Sequence, residues 1–298
     1  MRPRLGGERP GPARYGLERR PDDAHDGVAL LGWMERDAAL RFLLDDCVSV
    51  VPFTERSAEA LWQSHRTRAE ALNERQARAP ELLPLTAAEE AQAQRFAAFR
   101  GQAGAAPAEV VKLDPMQLIA GQYYVAVDRA EQYGAECATD EGWLASALPA
   151  SLSNPELSVR VTKRMLDTDI DIDLPHAEFT FGMTPQGAFG PIQSMGHVSV
   201  VRAGERMVLT KGYHRLYARL ARANAHPRPT VFALDSGSLP GEATAHEWPG
   251  LNPFGTRPAL FSDFFDDAHA ARVYLRKKRY QLQIRAKWVA LDAEPGSA

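Results

Sequence analysis

From about residue 28 to residue 100 the apolar positions recur at helical spacing. "ERDAALRFLLDDC" places Leu40, Leu43 and Leu44 on one side. "TERSAEALWQSHRTRAEAL" aligns Ala58, Leu61, Trp62, His65, Ala69 and Leu72, with Thr54 as N-cap. "TAAEEAQAQRFAAFRG" opens with a Thr86–Glu89 capping box and closes on Gly101. These segments predict a helical module over residues 28–106. His65, on an apolar face, reads as a core histidine.

Past the Gly/Ala/Pro linker at residues 101–107 the period changes from about 3.6 to 2, the spacing that puts alternate side chains on one sheet face. "EVVKLD", "QYYVAV", "LSVRVTKRMLDTDIDIDLP", "AEFTFGM", "HVSVVR", "RMVLT" and "RPTVFAL" read as strands. The two segments around "AGE" form a hairpin with Gly204 in the turn. A helix is expected from about Arg215 to Asn224, and "RVYLRKKRYQLQIRAKWVAL" alternates like one long strand. The expectation is an α+β domain over residues 107–292 with a mixed or antiparallel sheet. Residues 1–27, rich in Gly, Pro and Arg, read as a flexible leader without a signal-peptide core.

Composition changes this picture little. The chain has 298 residues, 45% hydrophobic and 24% charged, with a formal net charge of -3. Such a balance suits a globular protein and gives no bulk attraction for nucleic acid or lipid. Cys47 and Cys137 are too few for a disulfide framework and read as buried thiols. With no long apolar run, a cytoplasmic protein without a membrane partner is expected. Walker, Gly-x-Ser-x-Gly, His-Glu-x-x-His and cysteine-metal patterns are absent from the sequence.

The chemistry concentrates in "VLTKGYHRLYARLARA", residues 208–223. A glycine between strand and helix lets a ligand approach the backbone. The first helical turn then offers N–H groups and the positive end of the macrodipole. Lys211, His214 and Arg215 add cationic or hydrogen-bonding groups where cations are otherwise unfavourable, which asks for an anion. The phosphate-binding set is therefore Lys211, Gly212, His214 and Arg215, with Arg215 as the fork and His214 as donor or proton carrier. Asp128 and Glu131, at the turn after "QYYVAV", are weaker acid candidates.

The stretch "HVSVVRAGERMVLTKGYHRLYARLARANAHPRPTVFAL" resembles the core of the ParB/sulfiredoxin-like superfamily, in which a strand runs into a Gly-x-x-Arg turn that opens a phosphate-contacting helix. "EVVKLDPMQLIAGQ" would supply its leading strand and turn. The resemblance implies a nucleotide or other phosphate ligand, with Mg²⁺ accompanying a nucleoside triphosphate. It also implies nucleotide-dependent switching, phosphoryl transfer, hydrolysis or nuclease-type chemistry, without choosing among them. Tyr213 stands where sulfiredoxins carry their nucleophilic cysteine, which excludes sulfinic-acid reduction. The Glu-Asn-x-x-Arg signature of ParB clamps is missing, and residues 136–196 separate the two halves of the motif.

Two charged features remain. Asp167, Asp169, Asp171 and Asp173 alternate along one strand face, which reads better as a solvated edge strand than as a Mg²⁺ or Ca²⁺ site. The run Arg276, Lys277, Lys278 and Arg279, with Arg219 and Arg222 of the arginine helix, would suit a nucleic-acid backbone, or the run could neutralise the aspartate face. The alternative functions are thus a non-catalytic nucleic-acid-binding protein and a protein-interaction accessory. In the latter, Phe254, Phe261, Phe264 and Phe265 would dock a partner, although folding back as core suits most of them better.

Overall fold

The computed structural model describes residues 24–49, 51–72, 79–102, 105–150, 158–163, 167–174, 179–183, 189–193, 197–222, 229–235, 255–277 and 280–287. The protein is α+β. Its contacts divide it into two compact units, residues 1–151 with 195–277 and residues 152–194 with 278–298.

The first unit begins with β1 (Ala24–Ala29), α1 (Arg36–Arg41), β2 (Cys47–Val48), α2 (Glu55–Glu70) and α3 (Ala87–Gln102). Thr54 caps α2 through the amide of Ser57 at 3.2 Å, and Ser57 Oγ accepts the Thr54 N–H in return at 2.9 Å. The capping box of α3 forms as its sequence predicts, Thr86 N–H reaching Glu89 Oε2 at 2.6 Å. After α1 a wider turn over Phe42–Asp46 buries Phe42 and Leu43 but leaves Leu44 outside.

Next come β3 (Ala108–Leu113), β4 (Ile119–Ala120), β5 (Tyr124–Ala126), α4 (Val127–Gln132) and α5 (Asp140–Ala147). In the second unit lie β6 (Ser158–Lys163), β7 (Asp167–Leu174), β8 (Phe179–Met183) and β9 (Phe189–Gln193). The chain then returns to the first unit through β10 (Ser199–Ala203), β11 (Arg206–Lys211), α6 (Tyr213–Arg222), β12 (Thr230–Asp235) and β13 (Ala271–Arg276). It ends its described course in β14 (Tyr280–Lys287) of the second.

A five-stranded sheet, β3-β12-β10-β11-β4, leads through β11 into the Gly212 corner. β10 and β11 form the expected hairpin, with Gly204 at φ 62° in the turn, and β12 runs parallel to β10. A second sheet, β2-β13-β1-β5, pairs β1 with both β13 and β5.

This pairing corrects the expected domain plan. Residues 24–27 of the expected leader are strand, and the segment 28–106 is no separate helical module. Trp33, Ala69 and Phe96 share one buried core with Val111, Leu209 and Phe232. Local periodicity finds these helices but is silent on the long-range strand pairing that joins them to the sheets. Residues 1–23 lie outside the described residues.

In the second unit a three-stranded sheet, β14-β7-β6, holds the aspartate strand at its centre, not at an edge. Backbone register sets Asp167 opposite Lys287, Asp169 opposite Arg285 and Asp171 opposite Arg160, while Asp173 faces Gln281 and Ser158. β8 and β9 form a separate two-stranded sheet. The expected long C-terminal strand is in fact two, β13 and β14, in different units, and the basic run falls at the break between them.

Candidate functional site

β11 delivers the chain to Gly212, whose φ of 88° is in the region that side chains other than hydrogen resist. A Cβ built there would stand 2.6 Å from Val198 Cγ2 and 2.9 Å from Val198 Cα. The glycine is thus required twice, by its backbone angle and by the approach of the residue leading into β10. α6 starts immediately, at Tyr213 and not Arg215, and the first helical hydrogen bond runs from Leu216 N–H to Gly212 O at 2.9 Å.

Tyr213 is buried against Phe261 and Phe264. Its hydroxyl donates to Leu209 O and accepts from Gly121 N–H, and burial pushes its pKa up. Tyr213 therefore ties the corner to the loop after β4.

His214 is half-buried and contacts the start of α4. Its Nε2 accepts the Ala126 N–H at 3.3 Å, so the ring proton sits on Nδ1. Desolvation, then the nearby Arg129 and Arg215 charges, lower its pKa to about 3. Burial and the two arginine charges thus favour the neutral imidazole. Its Nδ1–H remains a donor.

Arg215 lies over the Tyr133 ring at 4.6 Å from its centroid, and its buried Nε has no hydrogen-bond partner among the described residues. Arg129, on α4, is the group that the sequence reading missed. Its position three residues after β5 gave no motif, and the packing of α4 on α6 brings its charge near His214. Neither Arg129 nor Arg215 pairs with a carboxylate among the described residues. Lys211 ends β11 with its side chain exposed.

The acid candidates are placed differently. Asp128 turns to β1, accepting the Asp26 N–H at 3.3 Å and lying 3.5 Å from His25 Nδ1. Glu131 is exposed on α4. Among the described residues no three His, Cys, Asp or Glu side chains gather as ligands for a metal ion.

The arginine stripe of α6 folds inward on residues 133–143. Arg219 donates to Cys137 O at 3.1 Å, reaches the Asp140 carboxylate, and sits 6.0 Å from the Trp143 ring centroid. Arg222, although exposed, rests on Gly134, where a Cβ would stand 2.2 Å from its Nη2. Helical spacing of arginines signalled a face, and that face meets protein. This corrects the nucleic-acid role for Arg219. Arg276 is exposed at the end of β13, paired in register with Ala24, and Lys277 follows it. Lys278 and Arg279 lie outside the described residues.

A second polar cluster, not signalled by any motif, braces α3 against the same sheet. Arg100 Nη1 lies 2.9 Å from Asp235 Oδ1 and 3.2 Å from His197 Nε2, and His197 lies 3.1 Å from Asp235 Oδ2. Burial would raise the Asp235 pKa, but His197, Arg100 and a Ser199 hydrogen bond lower it overall. Residues this far apart in sequence meet only through the fold.

Comparison with known proteins brings no match: no family model, no curated protein and no solved structure corresponds to this chain. No helix among the described residues is long and apolar enough to cross a membrane.

Proposed function

We propose that the protein is a nucleotide- or phosphate-binding protein of ParB/sulfiredoxin-like build, with its ligand's phosphate at the start of α6. The observation that carries this reading is electrostatic. Two guanidinium charges, Arg129 and Arg215, lie near enough to His214 at a helix N-terminus to lower its pKa, and neither has a carboxylate partner among the described residues. Cations gathered at the positive end of a helix repel each other and the dipole, and a phosphate removes both penalties. Support for the build comes from chain order. The leading strand β3, the hairpin β10–β11, the glycine corner, α6 and β12 follow one another in a single sheet.

In this reading the amides of the first turn of α6, which opens directly after Gly212, cradle the anion. Arg129 and Arg215 supply charge, and His214 contributes a neutral Nδ1–H. Lys211 adds long-range attraction from the rim. Where a nucleoside triphosphate is bound, Mg²⁺ would accompany it and offset its phosphate charge.

Titration calorimetry with CTP, ATP, GTP and inorganic pyrophosphate, with and without Mg²⁺, tests the reading. Charge-assisted hydrogen bonds of this type predict that Arg129→Ala and Arg215→Ala each weaken binding roughly tenfold to a hundredfold. Absence of binding by the folded wild type would reject the site.

A further inference from the structure

We infer that Arg215 serves two partners that exclude each other, the Tyr133 ring in the free protein and the anion at the start of α6. The ligand thereby loosens the segment running from Tyr133 to Asp140. This rests on the phosphate reading and adds the regulation of that site.

α6 holds the segment through arginines at i, i+4 and i+7, and the three contacts are unequal. Arg219 has carbonyl and carboxylate acceptors, and Arg222 lies across Gly134. Arg215 has the aromatic face of Tyr133 and an electrostatic influence on Cys137. It is also the one of the three in the first turn of the helix, beside His214.

The seam that Arg215 closes is poorly satisfied. Arg215 Nε is a buried donor without a hydrogen-bond partner among the described residues. An unpaired buried donor makes this arrangement costly and therefore easily exchanged for another. A phosphate offers the guanidinium charge-assisted, bidentate hydrogen bonds in place of a cation–π contact. As Arg215 turns to the anion, the Tyr133 end of the segment loses its hold, while Arg219 and Arg222 keep the remainder attached. Linkage makes the effect reciprocal, so holding the segment and binding the anion oppose each other.

The test is a pair of measurements on the full chain with inorganic pyrophosphate as probe. Replacing the ring while keeping apolar bulk, Tyr133→Leu, removes the competitor and tightens pyrophosphate binding about two- to fivefold, the range set by one cation–π contact. In the wild type, saturating pyrophosphate raises amide hydrogen exchange at residues 133–138 severalfold. Equal or weaker binding by a Tyr133→Leu protein that melts like wild type overturns the inference. Unchanged or slower exchange at saturation does so as well, and that readout suffices if the variant does not fold. If the wild type binds no pyrophosphate, or binding is indifferent to Arg215→Ala, it is the phosphate site itself that fails.

Discussion

Gly212→Ala and Gly204→Ala form a matched pair that separates backbone strain from crowding. Both glycines have positive φ, 88° and 62°. Each alanine pays the left-handed penalty, about 1–2 kcal/mol. A Cβ on Gly204 meets nothing within 4 Å, so its cost ends there. On Gly212 the same atom meets Val198 Cγ2 at 2.6 Å and Val198 Cα at 2.9 Å. The Cγ2 could rotate away, but the Cα is backbone, and moving it shifts the entry to β10. Overpacking of this kind costs about 1–3 kcal/mol more. Chemical denaturation with the linear extrapolation should therefore give a loss of about 1–2 kcal/mol for Gly204→Ala and about 2–5 kcal/mol for Gly212→Ala. Val198→Ala, by removing Cγ2, should recover part of the Gly212→Ala loss in a double-mutant cycle. Equal losses for the two glycines, or no coupling to Val198, would refute the claim that the corner is set by this contact.

Arg100→Ala should cost about 3 kcal/mol or more, because it strands the Asp235 carboxylate beside His197, and urea unfolding measures it. Arg219→Ala leaves the Cys137 carbonyl and Trp143 ring without their guanidinium and should cost about 1–3 kcal/mol in the same assay, against about half a kcal/mol or less for Arg222→Ala. His65 and His214 have folded pKa values lowered to about 4 and about 3, mainly by burial, from 6.5. The unfolded chain then binds protons that the native state refuses, so stability is full above pH 6.5 and falls as the pH drops through the window down to those values. At pH 5 each should remove about 2 kcal/mol, a slope that His65→Asn would halve in denaturation curves followed from pH 7 to 5. Cys47 and Cys137 are buried with raised pKa values, so labelling by a thiol reagent should be slow in native protein and fast once denaturant opens the chain.

What could be read in advance was local. The capping residues Thr54 and Thr86, the Gly204 turn, the buried role of His65 and the strands around the corner all depend on neighbours a few residues away, which periodicity and turn chemistry record. Phe261, Phe264 and Phe265 fold against Tyr213 and Tyr217 as core, as their apolar character suggests. Pairing across long separations was hidden. β1 joins β13 across almost the whole chain, and β7 acquires two neighbours because β14 returns to it. The same limit applied to the site. Gly212, His214 and Arg215 could be named from one short stretch, but their partners Arg129, Tyr133 and Val198 come from other segments. The arginine stripe of α6 suggested a nucleic-acid contact because the sequence does not say which face of a helix meets residues 133–143.

The central claim, that the start of α6 is an anion site served by Arg129 and Arg215, is tested most directly by thermal melting of wild type and Arg129→Ala with inorganic pyrophosphate. At about a hundred times its dissociation constant, a ligand adds roughly 2.7 kcal/mol to stability, which for a protein of this size raises Tm by about 4 °C. The account predicts that rise in the wild type and a rise of about half that size or less in Arg129→Ala at the same concentration. No rise in well-folded wild type, or an equal rise in the variant, would contradict it.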